Sequence, residues 1–334
     1  MPSLKKLKKF WINKKVYITG HTGFKGSWML IILNLLGAKL YGFSLKPKKK
    51  SLFNQARCYD FLKKNIYADI KNINLLKKNI DNIKPDILFH LAAQPLVSEA
   101  FYDPLKTFNT NIIGTLNVLE VLRKNKSIKS VVIITTDKVY RINNFNKSYK
   151  ETDELGGREP YSISKVCSEL ITKSYVETFF KEKFLKNKVS TARSGNVIGG
   201  GDYSPNRLMP DIIKSKNSKK KLLIRNPNHI RPWQHVIEPT IGYLKLAEEQ
   251  FKKKLLHKNP SWNFGPTKSN FVKVKEVVNI VQKKHKMKIK FSKKKKFFET
   301  DILKLDSSKA KKILNWYPKW NIKKSIENVI EWDD

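Results

Sequence analysis

Apolar segments of strand length recur along the first half of the chain, separated by longer mixed segments. Val16 to Thr19, Asp86 to Leu91 and Ser130 to Ile134 are largely or wholly apolar, as strands are when both faces of a parallel sheet are covered. Asn109 to Arg123, between the last two, is a predicted helix. The pattern predicts an α/β fold with a Rossmann-type, doubly wound parallel sheet.

Beyond residue 190 the pattern changes. The predicted strand Val189 to Arg193 is followed by a glycine-rich loop over Ser194 to Asp202, which is too flexible to be structural filler. We therefore expect a Rossmann domain over residues 1–190 and a smaller carboxyl-terminal α/β substrate-binding domain over residues 191–334. A segment near 232–255 is expected to return to the first domain.

Residues 14–43 are predicted to form a strand, a glycine-rich turn, a helix and a second strand. Glycine lets the backbone of such a turn approach a pyrophosphate closely, and the N-terminus of the following helix offers free N–H groups. This context favours a dinucleotide site over a plain structural turn. The expected cofactor contacts in the turn are Gly20, Thr22, Gly23, Phe24, Lys25 and Gly26.

The glycine spacing G-x-x-G-x-x-G resembles that of the extended short-chain dehydrogenase/reductase family. The acid that usually holds the ribose hydroxyls is missing from Tyr41 to Leu45. Ser44 could replace it, and Lys46 could favour a 2′-phosphate, so this strand leaves NAD and NADP both open. Asp69 lies where the family contacts adenine, although it could equally cap a helix. Further cofactor contacts are expected from Ile70, Leu91, Ala92 and Ala93.

Chemically useful side chains follow two of the predicted strands, at the strand ends where ligands of open α/β sheets bind. Gln94 follows one of them and is expected to face the substrate. The other runs into Thr136, Asp137 and Lys138, which suit proton transfer better than packing. Tyr161 and Lys165 follow, one helical turn apart on one face. A lysine beside a tyrosine favours the phenolate and makes the tyrosine a general base or acid.

Arginine is rare in this chain but concentrated in one segment, where Arg193, Arg207, Arg225 and Arg231 account for four of the eight. Arginine binds phosphate through a forked pair of donors that lysine lacks. We expect a second diphosphate site here, formed by the candidate substrate contacts Asn196, Arg207, Arg231 and His235. The alternative is a set of surface salt bridges.

The net charge of +40 invites a nucleic-acid interpretation. The lysines, however, are scattered along the whole chain, whereas nucleic-acid sites concentrate basic residues on one face. We therefore predict no nucleic-acid partner. The alternative, a polyanion binder that keeps a Rossmann domain for structure, predicts strongly salt-dependent binding of random duplex DNA.

Two cysteines, Cys58 and Cys167, cannot form a disulfide framework, and the six histidines lack metal-ligand spacing. No metal site is expected, and the two cysteines are consistent with a protein of the reducing cytoplasm. Met1 to Lys15 runs into a strand rather than a cleavable apolar core, so no signal peptide is predicted. The apolar run Trp28 to Leu36 is too short to span a membrane, and no membrane insertion is expected.

Over nearly its whole length the sequence is similar to the nucleotide-sugar 4,6-dehydratases, within the same extended family. The motifs that carry the resemblance are Ile18–Trp28, Thr136–Tyr140, Gly195–Asp202, Ile224–Pro227, Arg231–His235, Asp306–Ala310 and Trp316–Pro318. The resemblance implies NAD as cofactor, a homodimer or homotetramer, and a place in deoxysugar and lipopolysaccharide biosynthesis. Relatives acting on dTDP-glucose carry Glu where Lys138 stands, so the resemblance further implies CDP-glucose as the substrate.

The resemblance also implies roles for the candidate catalytic residues. Tyr161, with its pKa lowered by Lys165, takes the proton of the sugar 4-hydroxyl, which Thr136 hydrogen-bonds, while hydride leaves C4. Lys138 removes the C5 proton and Asp137 protonates the departing 6-hydroxyl. A 4-epimerase would share the fold but has no need of the Asp-Lys pair. A dehydratase of another dTDP-, UDP- or GDP-linked sugar remains an alternative, since a relative acting on UDP-N-acetylglucosamine also uses such a pair.

Overall fold

The computed structural model describes residues 4–143, 147–180, 188–218, 221–252, 259–291 and 302–334. The strands are β1 Lys15–Thr19, β2 Lys39–Ser44, β3 Leu62–Tyr67, β4 Ile87–His90, β5 Ser130–Ile134, β6 Val189–Ser194, β7 Val197–Ile198, β8 Leu222–Ile224, β9 Ile230–Pro232, β10 Gln234–His235, β11 Ser261–Phe264, β12 Phe271–Lys273 and β13 Ile289–Phe291. The helices are α1 Leu4–Trp11, α2 Phe24–Leu35, α3 Leu52–Gln55, α4 Ile73–Ile83, α5 Val97–Tyr102, α6 Pro104–Phe108, α7 Gly114–Lys124, α8 Pro160–Thr178, α9 Leu208–Ser218, α10 Ile237–Phe251, α11 Val274–Gln282, α12 Ser308–Leu314 and α13 Ile322–Asp333.

Seven parallel strands form the central sheet in the order β11-β6-β5-β4-β1-β2-β3. The chain moves outward from β1 to β3, returns to β4 on the other side of β1, and then continues to β6. The order therefore reverses between β1 and β4, which opens a crevice at the carboxyl ends of the strands. The predicted fold class is confirmed.

Helices cover both faces of the sheet, which explains why its central strands are apolar throughout. On one face α1, α2, α10 and α12 bury large side chains against the strands, among them Trp11, Met29, Tyr243 and Leu314. On the other face α4, α7 and α8 do the same, with Leu76, Val118, Leu119 and Val121.

A smaller carboxyl-terminal layer has its own apolar core. Its two-stranded sheets are β7-β10, β9-β12 and β8-β13, and helices α9, α11 and α13 pack with them. Ile212, Trp233, Val277 and Ile326 are buried there. This layer lies next to the loops that follow β5 and β6, and so closes the crevice from one side.

The boundary between the two layers is less simple than a cut at residue 190. Helix α10 packs against the sheet through Tyr243, Leu244 and Leu246. Strand β11 also joins the sheet, paired with β6 from Ser261 to Phe264, and α12 packs beside it. The sequence boundary placed both in the second domain. Four residues cannot reveal their pairing partner, because a buried strand has the same composition in either domain.

Two local features differ from the predictions. The lysine-rich start of the chain is helix α1, whose Leu7 and Trp11 are buried in the core. The helix predicted over Asn109 to Arg123 begins with a π-helical turn at Asn109–Ile113 before α7. Among the described helices, none combines the length and the apolar character needed to cross a bilayer.

Candidate active site

The glycine-rich turn packs directly against the end of β4. Gly20 has a φ of +75°, and a Cβ there would lie 2.5 Å from the Ala92 backbone nitrogen. A Cβ on Gly26 would lie 2.3 Å from the Gly20 carbonyl oxygen, so only glycine lets α2 start this close to the turn. Gly23 is the N-cap of α2 and supplies no side chain to its N–H groups. The turn therefore presents a helix N-terminus to the crevice, as anion binding requires.

The end of β2, where a dinucleotide site usually has an acid that holds the ribose hydroxyls, carries no carboxylate side chain. The Ser44 hydroxyl at the end of β2 lies 2.8 Å from the Thr22 hydroxyl, which also donates to the Leu45 carbonyl oxygen. Asp69 accepts from the Lys71 backbone nitrogen at 2.9 Å and does not cap α4, whose N-cap is Asn72. The turn and β2 are thus joined by hydroxyl groups rather than by a carboxylate.

One cavity of about 860 Å³ brings together most of the residues that sequence reasoning selected. It extends from the glycine-rich turn, past the end of β5, to the carboxyl-terminal layer. Every predicted catalytic and cofactor residue lines it, as do three arginines and two polar side chains: Arg207, Arg225, Arg231, Gln94 and Asn196. The volume suits two ligands bound side by side better than one small molecule.

His235 does not line this cavity, contrary to the expected substrate contact. Its ring is buried between Trp28 and Trp320, with ring centroids 5.7 Å and 4.8 Å away. Its Nδ1 accepts from the Ile237 backbone nitrogen, and burial lowers its pKa to about 4. His235 is therefore a neutral packing residue. Strand β10 thus places the ring among aromatic side chains rather than in the cavity lining.

Gln94 lines the cavity, but its amide is engaged within the protein. Its Nε2 donates to the Thr107 hydroxyl at 2.8 Å and to the Leu96 carbonyl oxygen, and its Oε1 accepts from the Leu96 nitrogen. Its backbone nitrogen donates to Asn111, on the π-helical turn. Gln94 thus fixes the loop after β4 as well as facing the ligand region.

Tyr161 and Lys165 lie in the first turns of α8. The helix begins with a capping box between Glu159 and Ser162, with Pro160 at its first position. Burial raises the pKa of Tyr161 to about 12, although the Thr136 hydroxyl and Arg207 lower it. The protein groups alone therefore do not provide the lowered tyrosine pKa that the pair was expected to produce.

Lys165 is held against the sheet instead. Its Nζ donates to the Ile134 carbonyl oxygen at 3.2 Å. Burial lowers the pKa of Lys165 to about 8, and the Glu169 carboxylate one turn along the helix opposes that shift. This pKa leaves the ammonium and the amine forms both accessible near neutral pH.

Thr136, Asp137 and Lys138 follow β5 at the centre of the cavity, where the chain forms a short 3₁₀ turn over Asp137–Val139. The Thr136 hydroxyl donates to Asp137 Oδ1 at 3.1 Å. The other oxygen, Oδ2, is buried without a hydrogen-bond partner among the described residues, and lies 2.7 Å from the position of a Cβ on Gly195. Burial raises the pKa of Asp137, against the lowering effect of Lys138. The arrangement suits a proton donor.

Three hydrogen-bonded side chains lie near the Asp137 carboxyl, those of Lys25, Ser194 and Tyr243. Their contact was not predicted from the sequence. Lys25 Nζ donates to the Ser194 hydroxyl at 2.7 Å, and the Tyr243 hydroxyl also donates to Ser194, at 2.8 Å. Burial and Arg207 lower the pKa of Lys25 to about 7, whereas Asp137 raises it. Lys25 belongs to the turn, Ser194 to β6 and Tyr243 to α10, so no sequence spacing could have shown their contact.

Contacts within the protein hold two of the arginines that line the cavity. Arg231 is buried, and its guanidinium contacts the Ile230 carbonyl oxygen and His229 Nδ1, each at 3.0 Å. Arg207 pairs with Asp202 of the glycine-rich loop at 3.2 Å. Both guanidinium groups face a cavity with few acids, which favours an anionic ligand. Among the described residues, no group of three His, Cys, Asp or Glu side chains could hold a metal ion.

The parallel sheet, the glycine-rich turn at its crevice and the Tyr-Lys pair on α8 define a Rossmann-fold enzyme of the short-chain dehydrogenase/reductase class. Residues 17–329 match the model of the GDP-mannose 4,6 dehydratase family, and the chain belongs to this family.

Individual relatives agree with this assignment. A CDP-glucose 4,6-dehydratase of Salmonella typhimurium strain LT2 is 37% identical over 337 residues, which cover 97% of this chain and 92% of that protein. The crystal structure of a dTDP-glucose 4,6-dehydratase from Bacillus anthracis in complex with NAD superposes with a TM-score of 0.78 at 23% identity, covering 96% of each chain. A UDP-glucuronic acid 4-epimerase from Bacillus cereus superposes with a TM-score of 0.81 at 20% identity, covering 96% of this chain and 98% of that one. At these identities the two structures show the fold alone.

Proposed function

We propose that this protein is an NAD-dependent lyase that converts CDP-glucose to CDP-4-keto-6-deoxyglucose and water. The observation that carries the proposal is the position of Asp137 and Lys138, which follow β5 into the same cavity as Tyr161 and Lys165. Oxidation and reduction of a sugar need only the Tyr-Lys pair, whereas elimination of water needs an additional acid and base. The relative from Salmonella typhimurium supports CDP-glucose as the substrate.

Each protein group has one task in this reaction. Tyr161 accepts the proton of the 4-hydroxyl, and Thr136 hydrogen-bonds that hydroxyl. NAD, which the glycine-rich turn, Tyr161 and Lys165 would hold, would supply the hydride acceptor for C4, the hydride donor for C6, and a positive nicotinamide ring that would favour the Tyr161 phenolate. Lys138 takes the C5 proton, which the 4-ketone acidifies, and after this proton has exchanged with solvent on the ammonium group Lys138 returns a solvent-derived proton to C5. Asp137 gives its proton to the departing 6-hydroxyl, which leaves as water. Tyr161 then releases its proton to solvent and Asp137 takes one from solvent, which restores both groups.

The second ligand region is proposed to hold the CDP diphosphate. Arg207 and Arg231 supply positive charge, and Asn196, in the loop between β6 and β7, supplies an amide. The buried carboxyl of Asp137 interacts electrostatically with Arg231 of this region and with Lys25 of the glycine-rich turn, which supports placing the sugar beside Asp137. Ser44, Asp69 and the turn residues are proposed contacts of the adenosine half and pyrophosphate of NAD.

We also propose that the protein is a homodimer or homotetramer of the cytoplasm, serving deoxysugar and lipopolysaccharide synthesis. The neighbouring helices α5, α6 and α8, with the π-helical turn, expose Tyr102, Leu105, Ile113 and Leu170. Apolar side chains grouped in this way are typical of an interface between subunits. Both cysteines are free thiols, which fits a reducing compartment.

The second candidate function is 4,6-dehydration of another nucleotide sugar. The Asp-Lys pair favours a dehydratase over a 4-epimerase, but it does not select the base of the nucleotide. The test is to incubate the protein with NAD and, separately, CDP-, dTDP- and UDP-glucose, and to measure the absorbance of the 4-keto product in alkali. We expect product from CDP-glucose, and none from Tyr161→Phe.

Two results would contradict parts of the proposal. Product from dTDP- or UDP-glucose but not CDP-glucose would overturn the substrate. NADP rather than NAD released from the denatured protein would overturn the cofactor.

A further inference from the structure

Helix α8 contacts the carboxyl end of β5 through side chains spaced four residues apart. Tyr161, Lys165 and Glu169 lie on one face of the helix, since i and i+4 positions are stacked. Lys165 Nζ donates to the Ile134 carbonyl oxygen at 3.2 Å, and the hydroxyl of Thr135 donates to Glu169 Oε1 at 2.5 Å. Two consecutive residues of the strand end are therefore held by two successive turns of the helix.

Glu169 is itself fixed from the opposite side. The Arg193 guanidinium donates through Nε to Oε1 and through Nη2 to Oε2, both at 2.9 Å. The Thr191 hydroxyl donates to Oε2 at 2.6 Å. All three side chains are buried. Burial alone would raise the pKa of Glu169, but the guanidinium offsets it and the net pKa is lowered. The carboxylate is thus a charged, immobile acceptor.

The two threonines that donate to Glu169 occupy different positions in the fold. Thr191 lies within β6, in register with Ile133 on one side and Ser261 on the other, so the sheet holds it without its hydroxyl. Thr135 follows the last residue of β5. Its nitrogen still donates to the Ala192 carbonyl oxygen, but the chain then leaves the sheet. The bond to Glu169 is the last side-chain link before the proton-transferring residues.

We propose that Glu169 is a positioning residue: through Thr135 it fixes the strand end that carries Asp137 relative to the helix face that carries the catalytic pair. Proton transfer between one sugar and two residues, Asp137 after β5 and Tyr161 of α8, requires a fixed distance between the two elements. A displacement of about 1 Å can reduce a rate by about 100-fold. This inference rests on the proposed dehydratase activity.

The test compares Thr135→Val with Thr191→Val. Both variants keep the shape of the side chain and remove one buried hydroxyl that donates to the same carboxylate. We expect kcat of Thr135→Val with CDP-glucose to fall roughly 10-fold or more, with KM within about twofold. Thr191→Val should keep kcat within about twofold, although both variants lower the melting temperature to a similar extent. Thr135→Ser, which restores the hydroxyl, should recover most of the rate.

Equal losses of kcat in the two valine variants would overturn the proposal, because they would show a stability effect alone. So would an unchanged kcat in Thr135→Val, or no recovery in Thr135→Ser. The wild-type protein reports on the proposed function separately. If it turns over dTDP- or UDP-glucose but not CDP-glucose, the proposed substrate fails, and the three variants are compared on the sugar that is used.

Discussion

At the residue scale, burial is the dominant influence on the chemistry of the site. It raises the pKa of Tyr161 to about 12 and that of Asp137 above the ordinary carboxyl value, and it lowers that of Lys165 to about 8. Burial favours the neutral form of each group because ionised forms lose their hydration. A neutral Asp137 is the form needed to protonate the departing 6-hydroxyl, whereas Tyr161 must be a phenolate to accept the 4-hydroxyl proton, so the protein alone sets only the acid side of the reaction.

Lys138→Ala should separate the two halves of the reaction. If Lys138 is the C5 base, the variant should still transfer hydride from C4 but should lose solvent deuterium incorporation at C5. We expect dehydration to fall by a factor of about 100 or more, the usual contribution of a general base. Incorporation is measured by mass spectrometry of the product in deuterium oxide. Wild-type incorporation in the variant would exclude this role.

Asp137→Asn should change the pH dependence of stability. The folded-state pKa of Asp137 is raised above its unfolded value, so its contribution is fully present below the unfolded pKa and is lost as pH rises through the folded pKa. Asparagine avoids the cost of burying the ionised carboxylate. The variant should therefore gain stability relative to the wild type at higher pH, by roughly 1–3 kcal/mol, while losing dehydration.

The measurement for Asp137→Asn is urea unfolding of both proteins from pH 4 to pH 9. A difference in unfolding free energy that does not change with pH would contradict the raised pKa.

At the scale of elements, the site depends on how closely backbones approach one another. The glycine-rich turn lies against β4 and α2 with no room for a side chain at Gly20 or Gly26. Helix α8 lies against β5 through polar contacts, including those of Lys165 and Glu169. The same helices and strands thus provide both the packed core and the alignment of the reacting groups.

Two glycine substitutions in the turn should differ sharply. A Cβ on Gly26 would lie 2.3 Å from the Gly20 carbonyl oxygen, a backbone atom that cannot move aside, whereas a Cβ on Gly23 would lie 3.3 Å from the same atom. We expect Gly26→Ala to destabilise the protein by about 1–3 kcal/mol and to weaken NADH binding at least tenfold. Gly23→Ala should cost less than about 1 kcal/mol.

Thermal unfolding and titration of NADH fluorescence measure both effects of the glycine substitutions. Equal effects in the two variants would show that the close approach does not matter.

At the scale of the whole molecule, the cavity lies between the sheet and the carboxyl-terminal layer, and neither layer forms it alone. Its walls come from the ends of β1, β2, β4 and β5 and from loops after β6 and β8. Outside the cavity lining, Trp332 of α13 packs on Trp28 of α2 at 5.4 Å and leaves no space for a side chain at Gly200. The packing of α2 against α13 therefore connects the cofactor side of the molecule to its carboxyl-terminal layer.

The proposed subunit interface predicts an effect of Leu170→Glu. Leu170 is 51% exposed on α8, and Leu35, on α2 at the other face of the sheet, is 62% exposed. A charge at the centre of an apolar interface is costly when it is left unpaired. Leu170→Glu should shift the protein to monomers in light scattering at micromolar concentration. Leu35→Glu, the matched control, should not; a monomeric wild type would contradict the proposed assembly.

Much of the site could be predicted from sequence because its parts are local. The glycine spacing, the strand end Thr136-Asp137-Lys138 and the Tyr161/Lys165 pair each lie within a few residues, and each is attached to a strand or helix whose apolar pattern is clear. Strand ends of a parallel sheet meet at one edge, so these parts had to come together. The structure places all of them around one cavity.

Only the tertiary structure decided the features that depend on distant partners. It placed β11 in the sheet, turned His235 into an aromatic cluster, and joined Glu169 to Thr135 and Arg193. It also buried Tyr161, which raises the pKa of its hydroxyl. Sequence by itself determined which groups are present and on which elements, because periodicity is a local property. Burial and contact arise from residues far apart in the chain, and only packing brings them together.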